Sequence, residues 1–190
     1  MEAFEEAVRA GADAVEFDAR FSSDRRLVVI HDETLLRTHG RPERVDAVSA
    51  ADLHLLGVPS LVEVFDAFGN GVILDVELKS FGKRAVLALA EASRGRLLKE
   101  RWFATSFDRS TTELAAGARL PTGLLYSRPI GDEVDLAGHL RSRALVPRKT
   151  VVDATLVSAA HAAGIEVWAW TADEPDEIER LAALGVDAVA

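Results

Sequence analysis

Short apolar, β-branched runs alternate with amphipathic segments of helical period along all 190 residues, and nothing else in the chain limits its fold as strongly. Strands are expected at Ala14–Asp18, Leu27–His31, Val72–Lys79, Trp102–Phe107, Thr122–Tyr126, Ala144–Pro147, Glu166–Thr171 and Asp187–Ala190. Helices are expected between most of them. They run over Glu2–Ala10 up to Gly11, Leu61–Phe68 behind a Ser60/Glu63 capping box, Lys83–Leu98, Ser110–Ala118 and Asp132–Ser142. Two more cover Ala154–Ala163, with Gly164 past its end, and Pro175–Leu184, closed by Gly185. Parallel strands need a crossover and a helix supplies one, so the pattern predicts an α/β protein with a parallel sheet. A doubly wound sheet and a barrel both satisfy it. With no Pro/Gly/Ser linker and no low-complexity stretch, residues 1–190 read as a single domain.

Charge and composition remove whole classes of chemistry. There is no cysteine, which excludes disulfides, thiol nucleophiles and sulfur-ligated metals and leaves only oxygen and imidazole as ligands. Acidic side chains outnumber basic ones 31 to 22, a net charge of −9, and the basic residues are not clustered; no nucleic-acid partner is expected. The longest apolar run, around Ala85–Ala90, falls far short of the ~18 residues of a membrane-spanning helix. Residues Met1–Val8 already follow a helical pattern and resemble no export signal, which makes the cytoplasm the default compartment. A glycine-rich phosphate loop, a Gly-x-Ser-x-Gly elbow and a His-Glu-x-x-His helix are all absent.

Four segments carry acid, base or aromatic groups where a strand can present them. In Val15-Glu16-Phe17-Asp18 the alternation puts Glu16 and Asp18 on one face, either as solvated rim acids or as a buried pair that needs a cation. In Asp75-Val76-Glu77-Leu78-Lys79 it aligns Asp75, Glu77 and Lys79, which can also form an ordinary ion pair at the rim. Taken together, Glu16, Asp18 and Glu77 make an all-oxygen set suited to Mg²⁺ or Ca²⁺. His31-Asp32 ends an apolar strand, the place where α/β folds put catalytic groups, so His31 is a candidate general acid or base with a nearby acid fixing its tautomer. His39, His54, His139 and His161 read as loop or helix-surface residues. Of the two tryptophans on the last long strand, Trp168 is expected in the core, while Trp170 can floor a pocket for an apolar or choline-like group.

These pieces, read in order, resemble the glycerophosphodiester phosphodiesterase family. The matching segments are Ala3-Phe4, Gly11-Ala12-Asp13, Val15-Glu16-Phe17-Asp18, His31-Asp32 with Leu36-Arg37-Thr38, Pro59-Ser60-Leu61, Glu77-Leu78-Lys79, Ser106-Phe107, Trp170-Thr171 and Gly185-Val186-Asp187, and they span nearly the whole chain. The resemblance implies a TIM (β/α)₈ barrel that hydrolyses glycerophosphodiesters, its small-molecule substrates, to glycerol 3-phosphate and an alcohol. It implies a divalent cation, Mg²⁺ or Ca²⁺, held by Glu16, Asp18 and Glu77; a catalytic histidine, His31, that protonates the leaving alcohol; and a phosphate contact at Lys79, while Trp170, as a pocket floor, is the expected substrate-binding aromatic residue.

Measured against the family pattern, the barrel is incomplete. The first strand with its His-Arg-Gly motif and the final helix have no counterpart, Leu27–His31 reads as an excursion, and seven staves remain where eight are needed. The second catalytic histidine of the family is likewise unmatched. Two other readings therefore stay open: a remnant that binds metal or phosphodiester without turnover, and a related barrel phosphodiesterase acting on lysophospholipids. The oligomeric state is not legible in the sequence.

Overall fold

The computed structural model describes residues 1–96, 98 and 101–190, and the chain falls into two compact units, 1–104 and 105–190. The first unit opens with α1 (Glu2–Arg9), β1 (Ala14–Phe21) and β2 (Leu27–Val29). It continues through α2 (Leu36–His39), α3 (Ala50–Leu55), α4 (Leu61–Phe68), β3 (Ile73–Leu78), α5 (Gly82–Ser93) and β4 (Trp102–Thr105). Its strands lie in the order β2-β1-β3-β4. Strand β3 runs parallel to β1, and β2 folds back antiparallel on it with Ala19 opposite Val29. The expected excursion at Leu27–His31 is thus a short hairpin arm beside the parallel strands.

The second unit contains α6 (Arg109–Gly117), β5 (Gly123–Tyr126), α7 (Glu133–Leu140), β6 (Ala144–Pro147), α8 (Ala154–Ala162), β7 (Glu166–Ala169), α9 (Pro175–Leu184) and β8 (Ala188–Val189). Its sheet is parallel throughout, in the order β5-β6-β7-β8. One face of the sheet buries Leu124, Tyr126, Leu145, Val167 and Ala169 against Leu136, Ala137, Val157, Ala160 and Leu181 of the helices. This is the apolar seam that the alternating pattern requires.

Local chemistry accounts for most of the boundaries. The Ser60 hydroxyl accepts from the Glu63 amide at 3.3 Å while the Ser60 amide donates to the Glu63 carboxylate at 2.8 Å, so the capping box starts α4 where expected. Gly164 and Gly185 adopt φ of +72° and +84° just past α8 and α9, a left-handed geometry that glycine reaches without steric cost. Strand β1 extends to Phe21, three residues beyond the expected end, because β2 supplies it with partners. Helix α5 stops at Ser93, where Arg94 turns to an extended conformation and Gly95 to a positive φ; Leu97, inside the helix expected to reach Leu98, lies outside the described residues. Among the described residues the short helices α2 and α3 were not anticipated, nor were the single 3-10 turns at Val45–Ala47 and Lys149–Val151. One of them, α3, is capped by Ser49, whose hydroxyl accepts from the Asp52 amide at 3.1 Å.

The segment between β2 and α4 packs its own small core of Val28, Ile30, Leu35, Val45, Leu53 and Val58. That core fixes the chain that follows His31. Among the described residues no helix is long and apolar enough to cross a membrane.

Candidate functional site

The site lies within the first unit and grows from the pairing of β1 with β3. The parallel register sets Glu16 beside Asp75 and Asp18 beside Glu77, and neighbours in register share a face. One carboxylate oxygen each from Glu16, Asp18 and Glu77 falls within 4.8 Å of the other two. The acids inferred from two separate strands therefore converge. Lys79, one step beyond the end of β3, places its Nζ 2.5 Å from Glu77 and 3.2 Å from Asp18. The rim ion pair weighed against the acidic cluster is thus present as part of it.

The electrostatics show a surplus of negative charge. Glu16 opens to solvent along one side, yet the protein around it withdraws enough water to push its carboxyl up to about 7, with repulsion from Asp18 and Glu77 adding to the shift. Burial also raises Glu77, against the opposing pull of its bond to Lys79. For Lys79 burial works downward, but the bond to Glu77 and the charges of Glu77 and Asp18 outweigh it and hold the ammonium above its ordinary value. Three carboxylates facing one ammonium leave a deficit of positive charge, and the donors are all hard oxygens at close spacing. That set fits a divalent cation such as Mg²⁺ or Ca²⁺.

His31 follows the hairpin arm rather than ending it. Strand β2 stops at Val29, the Ile30 amide still donates to the Asp18 carbonyl at 3.0 Å, and His31 occupies the bend beyond. Its ring, 65% exposed, directs Nδ1 to Asp32 at 2.8 Å. The Arg37 guanidinium grips Asp32 through two bonds of 2.6 and 3.2 Å. Those bonds, with the one to His31, hold the Asp32 carboxyl down at about 2. Asp32 therefore stays ionised and keeps Nε2 of His31 as the outward nitrogen. The charge of His31 reaches the cluster, lowering both Glu16 and Glu77.

Arg20 is the residue the sequence reading missed. It lies on β1 on the same face as Glu16 and Asp18, and its Nε donates to the His31 carbonyl at 2.7 Å. Ending the strand at Asp18 hid it, since the same alternation carried two residues further places it in line.

Trp170 belongs to the second unit. Its indole donates to the Val146 carbonyl at 2.9 Å, and its ring meets Phe107 edge-on at 5.5 Å. Trp168, expected in the core, is only half-buried: its face of β7 is the one opposite Val167 and Ala169, its indole donates to Glu166 at 2.8 Å, and the Arg143 guanidinium lies over its ring. The other histidines have their own contacts. His39 reaches the Leu56 carbonyl at 3.0 Å, His54 pairs with Glu63 at 3.1 Å, His139 with the Asp135 carbonyl at 2.7 Å and His161 with Asp187 at 2.9 Å.

Comparison with known proteins gives a concordant result. The model of the glycerophosphoryl diester phosphodiesterase family matches residues 1–190. The glycerophosphodiester phosphodiesterase of Caldanaerobacter subterraneus subsp. tengcongensis is 27% identical over 98% of this chain and 85% of its own length. The crystal structure of the Thermotoga maritima glycerophosphodiester phosphodiesterase, 26% identical, superposes with a TM-score of 0.83 over 99% of this chain and 85% of that one. An Oleispira antarctica phosphodiesterase, solved with its product sn-glycerol-3-phosphate, shares the fold at a TM-score of 0.87 and 23% identity, covering 99% of this chain and 84% of that one. The likeness to these structures places the fold in their TIM-like α/β class, as the resemblance implied. The chain belongs to the glycerophosphoryl diester phosphodiesterase family, a family of phosphodiester-hydrolysing enzymes.

Proposed function

We propose that the chain hydrolyses glycerophosphodiesters to glycerol 3-phosphate and an alcohol, using a divalent cation held by Glu16, Asp18 and Glu77. The observation that carries this reading is the convergence of those three carboxylates within 4.8 Å beside Lys79. A cation bound there polarises phosphoryl oxygens and offsets the charge that builds up on them. Lys79, only 18% exposed and already turned into the cluster, adds a fixed positive charge for the phosphate.

His31 acts as the general acid. Water adds to phosphorus and releases one proton to solvent, the bond between phosphorus and the alcohol oxygen breaks, and that oxygen takes the proton from Nε2 of His31. Asp32 orients the ring through Nδ1 and stabilises its protonated form, while Arg37 keeps Asp32 ionised.

The test is release of glycerol 3-phosphate from glycerophosphocholine and related diesters with Mg²⁺ or Ca²⁺, and after chelation. Glu77→Ala and His31→Asn are each expected to lower kcat by on the order of 10²-fold or more. Turnover that ignores chelation and both substitutions would refute the assignment.

A further inference from the structure

A cleft of about 160 Å³ opens next to Lys79, lined by Arg20, Arg44, Glu33 and Asp46 with Phe21 and Ser80 among its other walls. Its walls adjoin the chain segment that carries His31. Arg20 is bonded to the carbonyl of His31, and Glu33 lies two residues beyond His31. A group bound in the cleft would lie beside Lys79, the proposed phosphate contact, and next to the chain segment that carries His31.

The wall of the cleft is fixed rather than loose. The Val45 amide donates to the Glu33 carbonyl at 2.9 Å, and a bridge joins Thr34 to Arg44. Arg44 grips Asp46 with two bonds of 3.0 Å and reaches Glu33 at 3.1 Å. The guanidinium is therefore held at the rim between two carboxylates.

The lining chemistry selects among alcohols. The cationic side chains of the lining are matched by the carboxylates of Glu33 and Asp46, and its one aromatic ring, Phe21, does not form the cage of aromatic faces that a quaternary ammonium requires. The carboxylates of Glu33 and Asp46 accept hydrogen bonds, the guanidinium groups donate them, and neighbouring hydroxyls need both. The volume is of the order that takes up a six-membered ring. On the reading of His31 as general acid, we propose that this cleft binds the leaving alcohol and selects polyhydroxylated alcohols, cyclic polyols included, over choline-like ones.

The experiment compares glycerophosphoinositol with glycerophosphocholine, by kcat/KM and by calorimetric binding to the cation-loaded His31→Asn protein. The inositol diester is expected to lead at least tenfold in kcat/KM and to bind more tightly. In Arg44→Ala, and in the near-isosteric Asp46→Asn, that preference should shrink at least threefold. Equal handling of the two diesters, or a preference for choline, overturns the proposal. So do variants that weaken both substrates alike, because the cleft would then hold the shared glycerol phosphate. If neither diester is turned over, the hydrolytic reading fails, and the binding comparison still decides the cleft's selectivity.

Discussion

At the residue scale, the pH behaviour of Glu16 is the sharpest consequence of the site. Its carboxyl titrates at about 7 in the folded protein against an ordinary 4.5, so between those values the native state holds more protons than the unfolded chain. The contribution of Glu16 to the stability of the cation-free protein is therefore present in full below about 4.5 and declines as pH rises towards 7. Glu77, raised in the same direction, adds a slope of the same sign. Thermal melts in chelator from pH 5 to 8 should show Tm falling with pH, and Glu16→Gln should flatten that dependence. For cations the sign reverses, since the proton competes for the ligand: affinity measured by calorimetry should rise as pH passes through 7. A second prediction concerns Asp32. Replacing it with Asn removes the charge that orients and stabilises protonated His31, and kcat should fall by roughly 10-fold to 100-fold with KM little changed. An equal loss in KM would instead assign Asp32 to substrate binding.

At the scale of single elements, the start of α4 offers a clean test of local chemistry. Its capping box satisfies two amides that the helix itself leaves without partners. Ser60→Ala should destabilise the protein by about 1 kcal/mol, read as a shift in the denaturant midpoint with an unchanged slope. Ser60 also joins β2 through a bridge to Val28, and the Val29 amide donates to the neighbouring Pro59 carbonyl at 2.8 Å. The same turn thus anchors the hairpin arm that leads to His31. Glu63→Gln, which keeps the acceptor oxygen, should cost less than Ser60→Ala.

For the whole molecule, the acidic cluster makes stability depend on the cation. A ligand that binds only the folded state stabilises it by about 2.7 kcal/mol at a concentration one hundred times Kd. Titrating Mg²⁺ or Ca²⁺ should therefore raise Tm progressively, and Glu77→Ala should abolish most of the rise. Removing a negative charge from a crowded cluster also relieves repulsion, so this variant in chelator should melt no lower than the parent if packing around β3 survives. A Tm indifferent to either ion in the parent protein would argue against a cation site at these residues.

What the sequence determined is the part governed by local rules. Period-two and period-3.6 patterns placed eight strands and the long helices, Ser60 with Glu63 and the glycines after α8 and α9 set helix ends, and the alternation aligned Glu16 with Asp18 and Glu77 with Lys79. These features depend on neighbours a few residues apart, which the chain states directly. The tertiary structure decided what depends on partners remote in the chain. Only the β1/β3 register brings Asp18 beside Glu77, and only the hairpin arm carries β1 far enough for Arg20 to reach His31. Likewise the pull of Arg37 on Asp32 and the half-buried setting of Trp168 follow from contacts and packing that no periodicity encodes. Distances, burial and the charge balance that raises Glu16 exist only once separate segments meet, and the chemistry of the site is set by those quantities.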